Sequence, residues 1–176
     1  MNKEILNVKK RNGRGSEPLN IEKIHEMVEY ACEDITGVSS SQVEMSSGLQ
    51  FYDGMTTDEI QQILIKSAAD LISLETPNYQ YVAARLLLYS LRKQVIDKLW
   101  DHPHIYDHTK KCIEKGVYDP EILNLYERKD FDRMENWINH NRDYDFTYAG
   151  LRQVIDKYLV QDRSSGEVFE TPQFMY

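Results

Sequence analysis

Apolar positions along this chain follow two different periods, and the change between them marks out its elements. Residues 4–19 read as a β-hairpin. Ile5, Leu6 and Val8 supply strand propensity, and Asn12-Gly13 is a turn pair because both residues tolerate positive φ. Gly15 adds a second permissive position, and the return strand runs from Ser16 to Leu19, with Pro18 marking an edge. A helical period then takes over. Asn20 is positioned as an N-cap, and Ile21, Ile24, Val28, Ala31 and Ile35 recur at helical spacing until Gly37. Ser41 and Glu44 have capping-box spacing for a second helix to about Gln50. Thr56 and Glu59 repeat that spacing for a third, with Ile60, Ile63, Leu64, Ala68, Leu71 and Ile72 on its stripe. Thr76-Pro77 opens a fourth, expected to reach about Leu99. It is apolar on two faces, one carrying Tyr81, Ala84, Leu88, Leu91 and Val95 and the other Val82, Leu86 and Tyr89, which predicts a helix buried in a bundle.

Beyond His102-Pro103 the pattern shortens. Helices are predicted over residues 104–115, ended by Gly116, and over 120–126, 128–139 and 148–157. Tyr158-Leu159-Val160 and Glu167-Val168-Phe169 flank Ser164-Ser165-Gly166 as a second hairpin. The fold class is therefore mainly α. An N-terminal hairpin caps four helices over residues 1–98, and a helical segment over 99–176 ends in a short hairpin. The apolar end Phe174-Met175-Tyr176 either tucks onto its own domain or meets further protein.

Composition narrows the functions. With 21 Lys and Arg against 29 Asp and Glu the net charge is -8, which argues against general binding to nucleic acid but leaves room for one nucleotide. The two cysteines, Cys32 and Cys112, form no CxxC or Cys/His cluster, so a structural zinc site is not expected and a reducing compartment is. No run approaches the roughly 18 apolar residues of a membrane span, and the start Met1-Asn2-Lys3-Glu4 is polar; the expectation is a cytoplasmic protein.

Candidate chemistry gathers around the first hairpin. Lys9, Lys10 and Arg11 precede its turn, Lys23 sits in the first turn of the first helix, and Lys93 lies near the end of the fourth. Cations converging on phosphates, with Glu17 and Asn20 facing a base edge and the helix start at Thr56-Thr57 adding N–H groups, would suit a nucleoside triphosphate. On spacing alone the plainer reading is favoured, a solvated basic turn and a lysine complementing a helix C-terminus. No GxxxxGK(S/T) loop and no GxGxxG occurs. His102, His104 and His108 have a metal-like spacing, although a surface helix start explains them more simply. Asp143 and Asp145 read as a capping turn before the helix at Thr147, and both cysteines as inert.

The order of these pieces resembles a known family. Val8-Lys9-Lys10-Arg11-Asn12-Gly13, then Glu17, then Asn20-Ile21-Glu22-Lys23-Ile24 is similar to the V-x-K-R-(D/N)-G … I-x-x-x-K-I opening of an ATP-cone. Asp53-Gly54-Met55-Thr56-Thr57-Asp58-Glu59-Ile60 resembles its D-G-(I/M)-x-T-x-x-I step. Pro77-Asn78-Tyr79-Gln80-Tyr81-Val82-Ala83-Ala84-Arg85-Leu86 with Leu91-Arg92-Lys93 resembles the P-x-Y-x-Y-x-A-A-R-L … L-R-K helix of class I ribonucleotide reductase large (alpha) subunits, a family whose bacteriophage versions look alike at Gln61. The likeness continues through Lys157-Tyr158-Leu159-Val160 and Glu170-Thr171-Pro172-Gln173-Phe174, and so covers essentially the whole chain.

The resemblance implies an allosteric activity domain over residues 1–98 that binds ATP as activator or dATP as inhibitor, with magnesium as a companion ion. Lys10, Arg11 and Lys93 would hold phosphates, and Glu17 and Asn20 would read adenine. Lys23, Ile24, Thr57, Ile60, Gln61 and Tyr89 would line the remainder. Two departures are visible. The stretch from Gly13 to Asn20 is one residue longer than the family pattern, and Gln61 stands where dATP-inhibited enzymes often have histidine. Weak or absent dATP inhibition is the expectation that follows.

Residues 99–176 resemble the incomplete helical lead-in to the family's catalytic α/β barrel. No redox-active cysteine set, radical-transfer tyrosine or catalytic residue of the family has a counterpart here, so no cofactor is expected in this chain and the metal-radical centre would sit in the small subunit. The implied partners are the remaining C-terminal part of the large subunit, a large-subunit dimer and the radical-generating small subunit. No membrane and no nucleic acid is expected among them. The implied role is in deoxyribonucleotide synthesis for DNA replication, with the chain inactive by itself as one piece of a longer or split subunit. The aromatic end at Phe174-Met175-Tyr176 is the expected join. Two rivals remain: a helical interaction or regulatory module with no effector response, and an ATP-cone transcriptional repressor, which would need paired CxxC motifs that this sequence lacks.

Overall fold

The computed structural model describes residues 6–10 and 15–176. The chain divides into two compact units. The first is residues 1–90 with 147–149, and the second is 91–146 with 150–176.

In the first unit, β1 (Asn7–Lys9) pairs antiparallel with β2 (Ser16–Pro18), Val8 opposite Glu17. The proposed Asn12-Gly13 turn lies outside the described residues. The hairpin is not left with a bare edge. The Lys9 amide donates to the Met55 carbonyl at 2.8 Å, the Gly54 amide to the Asn7 carbonyl at 2.8 Å, and Lys9 bridges Thr56 in parallel sense. Gly54 has φ +81°, a conformation that glycine adopts without strain, and the Asp53 carboxylate accepts from the Asn7 amide at 2.8 Å. These bonds fasten the hairpin to the start of the third helix.

Four helices follow: α1 (Ile21–Cys32), α2 (Ser40–Gly48), α3 (Thr57–Asp70) and α4 (Tyr79–Ile96). α1 packs on α2, and α2 on α3. The Asn20 carbonyl oxygen of the side chain accepts from the Lys23 amide at 3.1 Å, the cap the sequence predicts. α1 ends at Cys32, short of Gly37, because Asp34 takes φ +58° and breaks the helix before Ile35. At α3, Thr56 and Glu59 form the complete reciprocal capping box. The box expected at Ser41 and Glu44 is absent. α2 starts at Ser40 with no side-chain cap, and the Tyr79 hydroxyl accepts from the Ser39 amide at 2.9 Å in its place. Glu44 is turned to His25 instead. Val28, Ala31, Val43, Leu64, Ala68, Val82, Leu86 and Leu88 are fully buried. The burial of α4 on several faces explains its lack of a polar stripe.

The second unit contains α5 (Ile105–Glu114), α6 (Ile122–Leu125), α7 (Arg128–Glu135), a 3-10 turn (His140–Asp145), most of α8 (Tyr148–Lys157) and α9 (Pro172–Met175). α4 stops at Ile96, before Leu99, with Asp97 at φ +58°. α7 is shorter than its predicted span, and the 3-10 turn takes over beyond it. The second hairpin is reduced to a bridge between Gln161 and Val168, closed by a hydrogen bond from the Asp162 amide to the Glu167 carbonyl at 2.8 Å. No helix among the described residues is long and apolar enough to cross a membrane.

Two features of this unit correct expectations from sequence. Asp143 is not a surface cap. It is 1% exposed and faces the equally buried Arg92, Nη2 to Oδ2 3.4 Å, while the Gln173 side-chain amide donates to its other oxygen at 3.1 Å. Arg92 also donates to the His140 carbonyl at 2.8 Å and the Tyr144 hydroxyl at 3.0 Å. His108 is not part of a surface helix start either. Its ring is buried and stacked on Phe174 at 4.2 Å, so Phe174 is tucked within its own unit while Tyr176 stays exposed.

Candidate nucleotide-effector site

The polar side chains that the sequence singles out are carried by the hairpin and two helix starts. β1 ends at Lys9, and the Lys10 amide is fixed by donation to the Gly15 carbonyl at 3.0 Å. Its side chain reaches across the hairpin, Nζ 2.7 Å from the Glu17 carboxylate. That hydrogen bond holds the Glu17 carboxyl below the usual carboxylate range, and the positive charges of Lys10 and Lys23 act in the same direction. Lys10, Glu17 and Lys23 therefore share one electrostatic neighbourhood. Asn20, which opens α1, spends its side-chain oxygen on the cap. Arg11 lies outside the described residues.

The other predicted positions divide by burial. Ile24 on α1, Ile60 and Gln61 on α3 and Tyr89 on α4 are all buried, at 8%, 6%, 7% and 2% exposure. Thr57 is half-buried at the first position of α3, one residue after the Thr56 that bridges to Lys9. Gln61 is committed to the protein itself: its side-chain amide donates to the Leu86 carbonyl of α4 at 2.8 Å. Lys93 follows Tyr89 by one turn of α4, exposed, on the stretch of that helix that belongs to the second unit.

Sequence reasoning found the residue types here but missed two pairings, Lys10 with Glu17 and Gln61 with Leu86. The first had only the signal of hairpin register, which the structure fixes with Glu17 opposite Val8, near Lys10. The second had none, because its acceptor is a backbone carbonyl 25 residues away.

Other candidate chemistry fares differently. Among the described residues no group of three or more His, Cys, Asp and Glu is arranged to hold a metal ion. His104 caps α5, accepting from the Tyr106 amide at 3.1 Å, and His102 is stacked on His140 at 3.6 Å. Burial pushes the Cys32 thiol up to about 11 and raises that of Cys112, so neither is a ready nucleophile. A cleft of about 330 Å³ in the second unit is lined by Lys98, Asp101, His102, Asp107, His108 and Lys111 among others. It contains none of the proposed effector positions, and charges of both signs face it.

A hairpin fastened to the start of α3, in a unit of four helices with a buried apolar core, defines a class. The chain belongs to the ATP-cone family: the ATP cone domain model matches residues 6–94. Over its whole length the chain is 46% identical to ribonucleoside-diphosphate reductase 1 subunit alpha of Escherichia coli (strain K12). It is equally similar to the reductase subunit alpha of Haemophilus influenzae, and 42% identical over 175 residues to that of Enterobacteria phage T4. The chain spans about a quarter of the length of these relatives, 23% of the two bacterial proteins and 22% of the phage one.

Proposed function

We propose that this chain is the effector-sensing portion of a ribonucleoside-diphosphate reductase large subunit, and that its first unit binds ATP or dATP as overall-activity effector. The observation that carries the reading is the cluster of Lys10, Glu17 and Lys23 beside the Asn20 cap, on an ATP-cone fold. Its groups have complementary tasks. The ammonium groups of Lys10 and Lys23 provide charge-assisted donors to phosphate oxygens; for Arg11 and Lys93 the phosphate role rests on the family resemblance alone. The Glu17 carboxylate accepts from the exocyclic amine of adenine, and the Asn20 amide donates to a ring nitrogen. Ile24, Ile60 and Tyr89 give an apolar floor, and Thr57 and Gln61 its polar margin. Magnesium accompanies the triphosphate.

Reduction itself belongs to parts of the enzyme beyond this chain. The remaining large-subunit sequence, a second large subunit and the small subunit with its radical-generating centre are its partners, in the cytoplasm. The assay is direct: mix the chain with a fragment carrying the remainder of the large subunit and with the small subunit, and follow CDP reduction. Activity stimulated by ATP in the mixture, and none in the separate parts, is the expected result. A mixture that stays inactive, or whose activity ignores ATP, would overturn the assignment.

Gln61 sets the character of the response. A neutral amide tied to the Leu86 carbonyl offers no positive charge to an effector. ATP and dATP are therefore poorly distinguished, and dATP inhibits weakly or not at all. Strong dATP inhibition of the assembled enzyme contradicts this.

A further inference from the structure

We propose that the Lys10–Glu17 ion pair is a latch that makes base binding and phosphate binding depend on each other, so that the site favours a whole nucleotide over either of its halves. The inference rests on the nucleotide reading above. In the free protein each group satisfies the other: the Lys10 ammonium lies 2.7 Å from the Glu17 carboxylate across the hairpin. The backbone of neither residue is loose. Lys10 is held to Gly15, and Glu17 is in register opposite Val8.

A ligand that brings only phosphates takes Lys10 away and leaves the Glu17 carboxylate without its cation, facing the incoming negative charge. A ligand that brings only adenine engages Glu17 and leaves Lys10 unpaired. Adenine and a polyphosphate on one molecule replace both partners together, so neither group is left without an opposite charge or a hydrogen bond. Both side chains are about 40% exposed (42% and 40%), so the latch discriminates by a modest factor and does not block entry. An exposed pair of this kind corresponds to a change in affinity of about two- to five-fold.

The test uses the full chain and titrates inorganic tripolyphosphate and ATP separately into three proteins: the parent, Glu17→Gln and Glu22→Gln. Glu22 is an exposed carboxylate in the first turn of α1, and its removal controls for charge alone. In Glu17→Gln, tripolyphosphate binds about two- to five-fold tighter while ATP does not gain, because the amide is a weaker partner for adenine. Glu22→Gln shows no such selective gain. If ATP binds the parent but Glu17→Gln gives no selective gain for tripolyphosphate, or Glu22→Gln gives the same one, the latch is refuted while the nucleotide site stands. If ATP fails to bind the parent, the nucleotide reading falls and the latch with it.

Discussion

Single residues in this chain differ most in whether their partner is a neighbour in sequence. Asn20 and the Thr56–Glu59 box act over three residues, and the sequence alone placed them. Arg92 and Asp143 are 51 residues apart, and no local pattern marks Asp143 as anything but a turn residue. Their energetics differ accordingly. Thr56→Ala removes a capping oxygen from the Glu59 amide and lowers stability by about 1 kcal/mol, measurable by urea denaturation. Asp143→Ala leaves the Arg92 guanidinium buried without its anion and costs about 3–5 kcal/mol by the same measurement. Loss of less than about 1 kcal/mol in Asp143→Ala would mean that the pair is not buried as described.

At the scale of elements, α9 and the 3-10 turn before α8 were legible only as a tucked apolar end and a capping turn, because what holds them comes from afar. Phe174 stacks on His108 and meets the edge of His140 at 5.2 Å. Gln173 links Asp143 to the Asn139 amide. The strongly periodic helices α1, α3, α4, α5 and α8 were legible because each carries an apolar face or an N-terminal signal of its own. The histidines give this region a pH response. Burial lowers His108 to about 4, and burial together with the charges of His102, Arg92 and His108 lowers His140 to about 3. Both lie below the 6.5 of an exposed imidazole, so the unfolded chain takes up more protons as pH falls below that value, and the fold loses stability down to about pH 4. Asp143, pushed up to about 6 by burial, acts in the opposite sense over pH 4–6, one group against two. The net expectation is a Tm that falls between pH 6.5 and 4.5. His108→Phe, which keeps a ring against Phe174 and removes the proton site, flattens that dependence. An unchanged pH profile in His108→Phe would show that His108 does not titrate from a buried site.

For the whole molecule, the hairpin-plus-four-helix reading and the family resemblance come from pattern order, and the fold and the 6–94 family match agree with both. The functional reading draws on less local information. Residue types at Lys10, Glu17, Asn20 and Lys23 were visible, but their pairing in the free protein was not, since it depends on hairpin register. Gln61 was legible as a departure from histidine, while its bond to Leu86 required the packing of α3 against α4. The sequence therefore marks the groups that the proposed effector site would use, and the structure adds that Lys10, Glu17 and Gln61 already hold partners within the protein.

Calorimetric titration of the full chain with ATP tests whether the basic hairpin of the first unit is where an adenine nucleotide binds. Saturable one-to-one binding is expected, weakened about tenfold in Lys10→Ala, the equivalent of one lost charge-assisted contact. GTP, whose base presents an oxygen where adenine has its amine, binds more weakly than ATP. The absence of any binding heat, or an affinity for ATP that Lys10→Ala leaves unchanged, would contradict it.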